Sequence, residues 1–278
     1  MARVFIVGAG YVGAHAAELL AERGHAVSSG RRSRPSSRDA FAMDILRPGT
    51  FPEALREADC VVYAVAANGF SEAEYRNAYV TGLANTIEYL MSRRGRRRLV
   101  HISSTGVYGQ DDGSVVDEKS PAQPRGFSGK VLLEGEALAA SAPFESTSLR
   151  FSGIYGPGRD RLIRDTLSRA ALSERERAMI TNRIHRDDCA RAIVHLVEKP
   201  EVGPLYLGSD EAPSTLGEIR DWLAARLDVA PAPVAQAQIG SPQRGGSKRL
   251  SSALLRSEGF AFRHPTFREG FEAILAAS

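Results

Sequence analysis

The string Gly8-Ala9-Gly10-Tyr11-Val12-Gly13 constrains this chain more than any other feature. It follows the apolar run Val4-Phe5-Ile6-Val7 and opens the stretch from Tyr11 to Arg23, where Val12, Ala16, Leu19 and Leu20 recur at helical spacing. A GxGxxG string alone is a weak signal, but one set between a strand and a helix is specific. Each glycine then has a task. Gly8 permits the tight turn, Gly10 lets the backbone approach a pyrophosphate, and Gly13 lets the helix pack closely on the strand. The helix N-terminus adds unpaired N–H groups and the positive end of its dipole. A glycine turn without a ligand is the competing reading.

The rest of the first half alternates in the same way. Ala26-Val27-Ser28, Cys60 to Val65 and Leu99 to Ile102 read as short strands covered on both faces. Ser71 to Met91 reads as one helix between them. The alternation predicts an α/β fold, a Rossmann-type doubly wound parallel sheet. The latter part is punctuated by prolines at 157, 200, 204, 213, 231 and 233 and carries shorter helices, Arg186 to Val197 and Leu216 to Leu227. The 278 residues therefore divide into a nucleotide-binding core over 1–153, with segments returning near 180–207, and a small substrate lobe drawn mainly from 154–278. Residues 228–247, rich in Ala, Pro, Gln and Gly, read as a loop.

An NAD site places Asp or Glu about 20 residues beyond the glycines, where it binds the ribose 2′-hydroxyl. Here that place reads Val27-Ser28-Ser29-Gly30-Arg31-Arg32. With the acid replaced by two guanidiniums, charge complementarity favours NADP(H), Arg31 and Arg32 clamping a 2′-phosphate and Ser29 donating a hydrogen bond. A solvated arginine loop that includes Arg34 and Arg38 is the alternative. A second run, Arg93, Arg94, Arg96, Arg97 and Arg98, falls between a helix and the next strand, at the sheet end opposite the ligand. It is expected to be solvated surface that complements a helix dipole. The net charge is only +3, and no aromatic residues interleave the arginines, so no nucleic-acid partner is expected. Two cysteines and no long apolar stretch exclude a disulfide framework and a membrane span, and fit a cytoplasmic protein. No metal is expected, because the other histidines, at 15, 25, 101, 195 and 264, lack ligand-like spacing.

Several separated strings match one superfamily. They are Asp44-Ile45, Tyr79-Val80-Thr81-Gly82, Ser103-Ser104-Thr105-Gly106-Val107-Tyr108-Gly109, Leu149 to Gly158 (LRFSGIYGPG) and Arg183 to Asp188 (RIHRDD). The chain resembles the extended and atypical short-chain dehydrogenase/reductases, the NAD(P)-dependent epimerase/dehydratase group. The resemblance implies that Asp44 and Ile45 sit by the adenine, with Asp44 accepting from its amino group. Ala64, Val65 and Ala66 would pass under the cofactor, and Ser152, Gly153 and Ile154 would line the nicotinamide end. Ser104 would orient a substrate carbonyl or alcohol, and Thr105, Arg183 and His185 would approach the substrate.

The resemblance also implies a base, a Tyr four residues before a Lys, the Lys lowering the phenol pKa and holding the nicotinamide ribose. The Lys is Lys130, but the Tyr position is Gly126. Three readings follow: a hydride-transferring oxidoreductase or epimerase-like enzyme with another acid, drawn from Tyr108, Tyr155, Ser104 and His185; a non-catalytic NADP(H)-binding sensor or accessory protein; or a fold that has lost its cofactor. The first is preferred, with Ser104, Lys130 and Tyr108 as the catalytic set and a small molecule as substrate. Asp187 and Asp188 are read as carboxylates placed by a helix dipole. Family analogy allows a homodimer through the helix from Ser71 to Met91 or the one around Lys130.

Overall fold

Alternate residues of the central strands face opposite layers, and this alternation builds two cores on one sheet. A computed structural model of the chain describes residues 1–32, 39–92, 95, 97–235 and 246–277. Its sheet contains β1 (Arg3–Val7), β2 (Ala26–Arg31), β3 (Ala40–Ala42), β4 (Cys60–Tyr63), β5 (Arg98–Ser104), β6 (Glu145–Phe151) and β7 (Leu205–Gly208). The spatial order is β7-β6-β5-β4-β1-β2-β3, and every pairing is parallel. Val4, Ile6, Cys60 and Val62 pack with Ala16 and Leu20 of α1 (Gly13–Glu22) on one face. Phe5, Val7, Val61 and Tyr63 pack with Leu83 and Leu90 on the other. This is the doubly wound Rossmann-type fold that the alternation predicts.

The helix expected from Ser71 to Met91 forms in three pieces: α2 (Glu72–Arg76), a π-helical turn (Asn77–Thr81) and α3 (Gly82–Met91). The buried Tyr63 hydroxyl donates to the Ala78 carbonyl at 2.6 Å, and a Cβ on Gly82 would lie 2.7 Å from that hydroxyl. A side chain inserted against the hydrogen-bond ladder widens the turn. Periodicity cannot register this, because the inserted group comes from a distant strand.

The arginine run also departs from expectation. Arg93, Arg94 and Arg96 lie outside the described residues, whereas Arg97 and Arg98 are 6% and 8% exposed. Arg97 donates to the carbonyls of Leu90 and Arg56. Arg98 donates to the carbonyls of Leu196, Val197, Lys199 and Pro200 and pairs with Glu145 at 2.8 Å. The last carbonyls of a helix have no intrahelical donors, and these guanidiniums supply them.

Beyond β6, α4 (Phe127–Ala140) having preceded it, the chain forms α5 (Arg186–Glu198), α6 (Leu216–Arg226) and α7 (Phe267–Ala276) among short strands. Gly153–Tyr155 pairs with Arg183–His185 in parallel, and Tyr155, Ile219, Leu223, Phe267 and Phe271 form a separate apolar cluster there. Of the loop expected over 228–247, residues 236–245 lie outside the described residues. Among the described residues, no helix is long and apolar enough to cross a membrane.

Candidate functional site

Crossovers from β1 and β4 run in opposite directions, and such a reversal opens a crevice at the carboxyl ends of the strands. A cleft of about 960 Å³ lies there, lined from the glycine loop across to β5, within the roughly 300–1,000 Å³ of ligand sites in general. Gly8 has φ +91°, and a Cβ on it would lie 2.8 Å from the Ala64 carbonyl. A Cβ on Gly13 would lie 2.5 Å from the Gly8 oxygen, so any side chain there would push α1 off β1. Gly10 has nothing within 4 Å of its would-be Cβ, leaving its backbone open to the cleft. Strain, packing and access thus fall on three different glycines. This geometry, with the N-terminus of α1 behind it, fits a dinucleotide pyrophosphate.

Of the residues singled out from sequence, Gly8, Gly10, Tyr11, Val12, Arg31, Arg32, Asp44, Ile45, Ala64, Val65, Ala66, Ser104, Ser152 and Ile154 line this cleft. Arg31 and Arg32 stand exposed at the end of β2, and among the described residues neither pairs with a carboxylate. Arg32 donates to the Asn68 side-chain oxygen. Ser29 does not line the cleft; Gly30 does, and its carbonyl accepts from Gly8 N–H at 2.9 Å. Asp44 uses Oδ1 to accept from Leu46 N–H at 3.0 Å.

The residues expected at the reacting end divide sharply. Ser104 lines the cleft, and its Oγ accepts from Gly106 N–H at 3.1 Å, so the hydroxyl proton remains free to donate. Tyr108 does not line it. The Tyr108 hydroxyl donates to Asp117 O at 2.9 Å and accepts from Arg150 at 2.6 Å. Arg150 in turn pairs with Glu136, which accepts from Ser103. Tyr108 therefore belongs to a buried network beneath the site. Lys130 is exposed on α4 and also lies off the cleft, four residues after the helix-capping Gly126. Thr105 is buried and donates to Phe151 O at 3.4 Å. Arg183, Gly153, Tyr155 and His185 do not line the cleft, and His185, 2% exposed, caps α5.

Sequence reasoning gave no site role to several polar cleft residues, among them Asn68, Glu74, Asn77, Tyr79 and Arg159. Asn68 follows β4, Arg159 lies with its guanidinium 4.3 Å over the Tyr11 ring, and Tyr79 sits within the π-helical turn. Burial pushes the Tyr79 phenol up, opposed by a backbone hydrogen bond from Ala67. Tyr79 belongs to a string that carries the family resemblance, but the structure is what sets it in the cleft.

A family model for the NAD dependent epimerase/dehydratase family matches residues 4–206, which span the whole cleft. The chain belongs to that family. The protein YeeZ of Escherichia coli (strain K12) is 28% identical over 220 residues, covering 74% of this chain and 77% of that one. A Methylobacillus flagellatus protein assigned as an NAD-dependent epimerase/dehydratase superposes with a TM-score of 0.81 at 35% identity, covering 99% of this chain and 98% of that chain. The UDP-glucose 4-epimerase of Thermus thermophilus in complex with NAD shares the fold, with a TM-score of 0.79 at 21% identity over 98% of this chain and 97% of that chain. Family membership supports a nicotinamide dinucleotide as the cofactor class of the protein.

Proposed function

We propose that the protein is an NADP(H)-dependent oxidoreductase or epimerase-like enzyme acting on a carbonyl or hydroxyl carbon of a small molecule without the usual Tyr of the Tyr–Lys pair. The observation that carries the reading is that Arg31 and Arg32, neither ion-paired among the described residues, share one cleft with Ser104. In this reading residues 1–153 and the returning segments near 180–207 hold the cofactor, and the remainder after 153 shapes the substrate side.

Arg31 and Arg32 bind the 2′-phosphate, and the glycine loop with the start of α1 receives the pyrophosphate. When bound, the nicotinamide supplies or accepts hydride at C4. Ser104 Oγ donates to the substrate oxygen and fixes which carbon faces the hydride. With Tyr108, Tyr155 and His185 off the cleft and the Tyr11 hydroxyl donating to Pro157 O at 2.9 Å, Tyr79 is the best phenol left to exchange the proton. Its environment is burial rather than a neighbouring ammonium, so proton transfer is slower than with a Lys-activated phenol. Two free, buried cysteines suit a reducing cytoplasm.

Titration with NADPH and NADH, followed by a carbonyl screen with Ser104→Ala as control, tests the reading. The expected result is tighter NADPH binding and a turnover lost by about 10²-fold in Ser104→Ala, the scale of an oriented donor, with NADPH affinity retained. Equal affinity for the two cofactors would refute the clamp. Tight NADPH binding with no turnover on any carbonyl would favour a cofactor-binding sensor, the reading supported by the solvent-exposed Lys130.

A further inference from the structure

Away from the cleft, four side chains meet where α1, α5 and the segment before α7 come together. His185 caps α5, Asp187 lies in its first turn, and His264 arrives from the C-terminal segment. One nitrogen or oxygen from each of these three lies within 4.8 Å of the other two. Asp187 Oδ2 is 3.7 Å from His185 Nδ1 and 3.7 Å from His264 Nε2. Tetrahedral zinc, with bonds of about 2.0–2.1 Å, sets neighbouring donor atoms about 3.3 Å apart. The two Asp187 distances reach that geometry with adjustments of a few tenths of an ångström, and the two imidazoles, with ring centroids 4.1 Å apart, have donors that start within 4.8 Å of each other.

His185 Nδ1 is unprotonated, its lone pair accepting from Asp187 N–H at 3.2 Å, so an ion bound there takes the place of that cap hydrogen bond; its Nε2 is buried without a hydrogen-bond partner. His264 is 6% exposed, and its Nε2 is buried without a hydrogen-bond partner, a costly arrangement that a ligand would relieve. Supporting contacts hold the donors. Fully buried Asp188 accepts from the N–H groups of Arg263 and His264 at 2.7 and 2.9 Å. His15 of α1 places Nε2 3.2 Å from the other Asp187 oxygen, in the way metal-binding carboxylates are themselves held.

Arg186 and Arg263 approach Asp187 at 3.7 and 4.0 Å, and their charge opposes a dication. This selects ions whose affinity comes from imidazole over hard ions that need many oxygens. We propose that His185, Asp187 and His264 bind one zinc-class transition-metal ion, with water completing its shell, and that the ion ties the C-terminal segment to the sheet beside α1. This site is independent of the cofactor reading.

The test uses the untagged full chain, stripped with a chelator and dialysed, and titrated with Co²⁺ by visible absorbance and with Zn²⁺ by calorimetry. One ion per chain with tetrahedral Co²⁺ bands is expected. His264→Gln and the near-isosteric Asp187→Asn should each weaken binding more than tenfold, and His15→Gln about tenfold, as for outer partners of metal ligands. Circular dichroism of each variant guards against misfolding. Zn²⁺ should raise the melting temperature of the parent chain and not that of His264→Gln. No binding of either ion at millimolar metal, or affinity unchanged in both His264→Gln and Asp187→Asn, would overturn the proposal.

Discussion

Arg31-Arg32 and Arg97-Arg98 are adjacent pairs of the same residue at opposite ends of one parallel sheet. The first straddles the carboxyl end of β2 and is exposed to the cleft; the second straddles the start of β5 and is buried. Arg98 meets four carbonyls and Glu145, whereas among the described residues Arg32 meets the neutral Asn68 amide. A guanidinium whose donors are taken by the protein is part of the fold. One left without a counter-charge at a ligand-binding edge is available to an anion. Composition treats the two pairs alike, and their chemistry differs because the ends of a parallel sheet differ.

The largest effect should come from breaking the buried pair. Arg98→Met leaves the partly buried Glu145 without its charged partner and the end of α5 without its donor; removing one partner of a fully buried ion pair costs about 3–5 kcal/mol, and a loss toward the lower end of that range is expected here. Chemical denaturation should show that loss, with the ratio of NADPH to NADH affinity unchanged in whatever fraction remains folded. A variant as stable as the parent would show that the carbonyl contacts contribute nothing and would erase the contrast.

Next in size is the exposed pair. Hydrogen bonds to charged groups are worth about 1.5–3 kcal/mol, so Arg31→Ala and Arg32→Ala should each weaken NADPH binding about 10–100-fold. NADH affinity and the denaturation midpoint should hardly move. If NADH weakened in parallel, these arginines would be acting on the pyrophosphate or on the fold, and the assignment to a 2′-phosphate would fail.

The same contrast explains what the sequence disclosed. The glycine loop was legible because φ at Gly8, packing at Gly13 and open space at Gly10 are constraints each glycine meets within a few residues of chain or against an adjacent strand. Arg31 and Arg32 were legible as cleft residues because strand length fixes how far past the glycines β2 ends. Tyr108 was not, since its fate depends on Arg150 and Asp117, which reach it through tertiary packing. Lys130 keeps its helical position, yet the side chain lies outside the cleft. The meeting of His185, Asp187 and His264 is equally invisible in one dimension, because His264 is far away in the chain and is carried in by its backbone contacts with Asp188.

The smallest effect sharpens the comparison most. Asn68 holds the Arg32 guanidinium through a neutral, solvent-exposed hydrogen bond, whose net worth lies at the lower end of about 0.5–1.5 kcal/mol. Asn68→Ala should therefore weaken NADPH binding only about 2–3-fold, through lost orientation rather than lost charge. Asn68→Asp changes the shape little but gives Arg32 what Glu145 gives Arg98, a carboxylate partner. In an exposed pair that gain is small for stability, but the added charge competes with and repels a 2′-phosphate. NADPH affinity should fall more in Asn68→Asp than in Asn68→Ala, with NADH affinity equal in the two variants. An unchanged NADPH to NADH ratio in Asn68→Asp would mean that Arg32 does not meet the phosphate, leaving Arg31 alone to distinguish the cofactors.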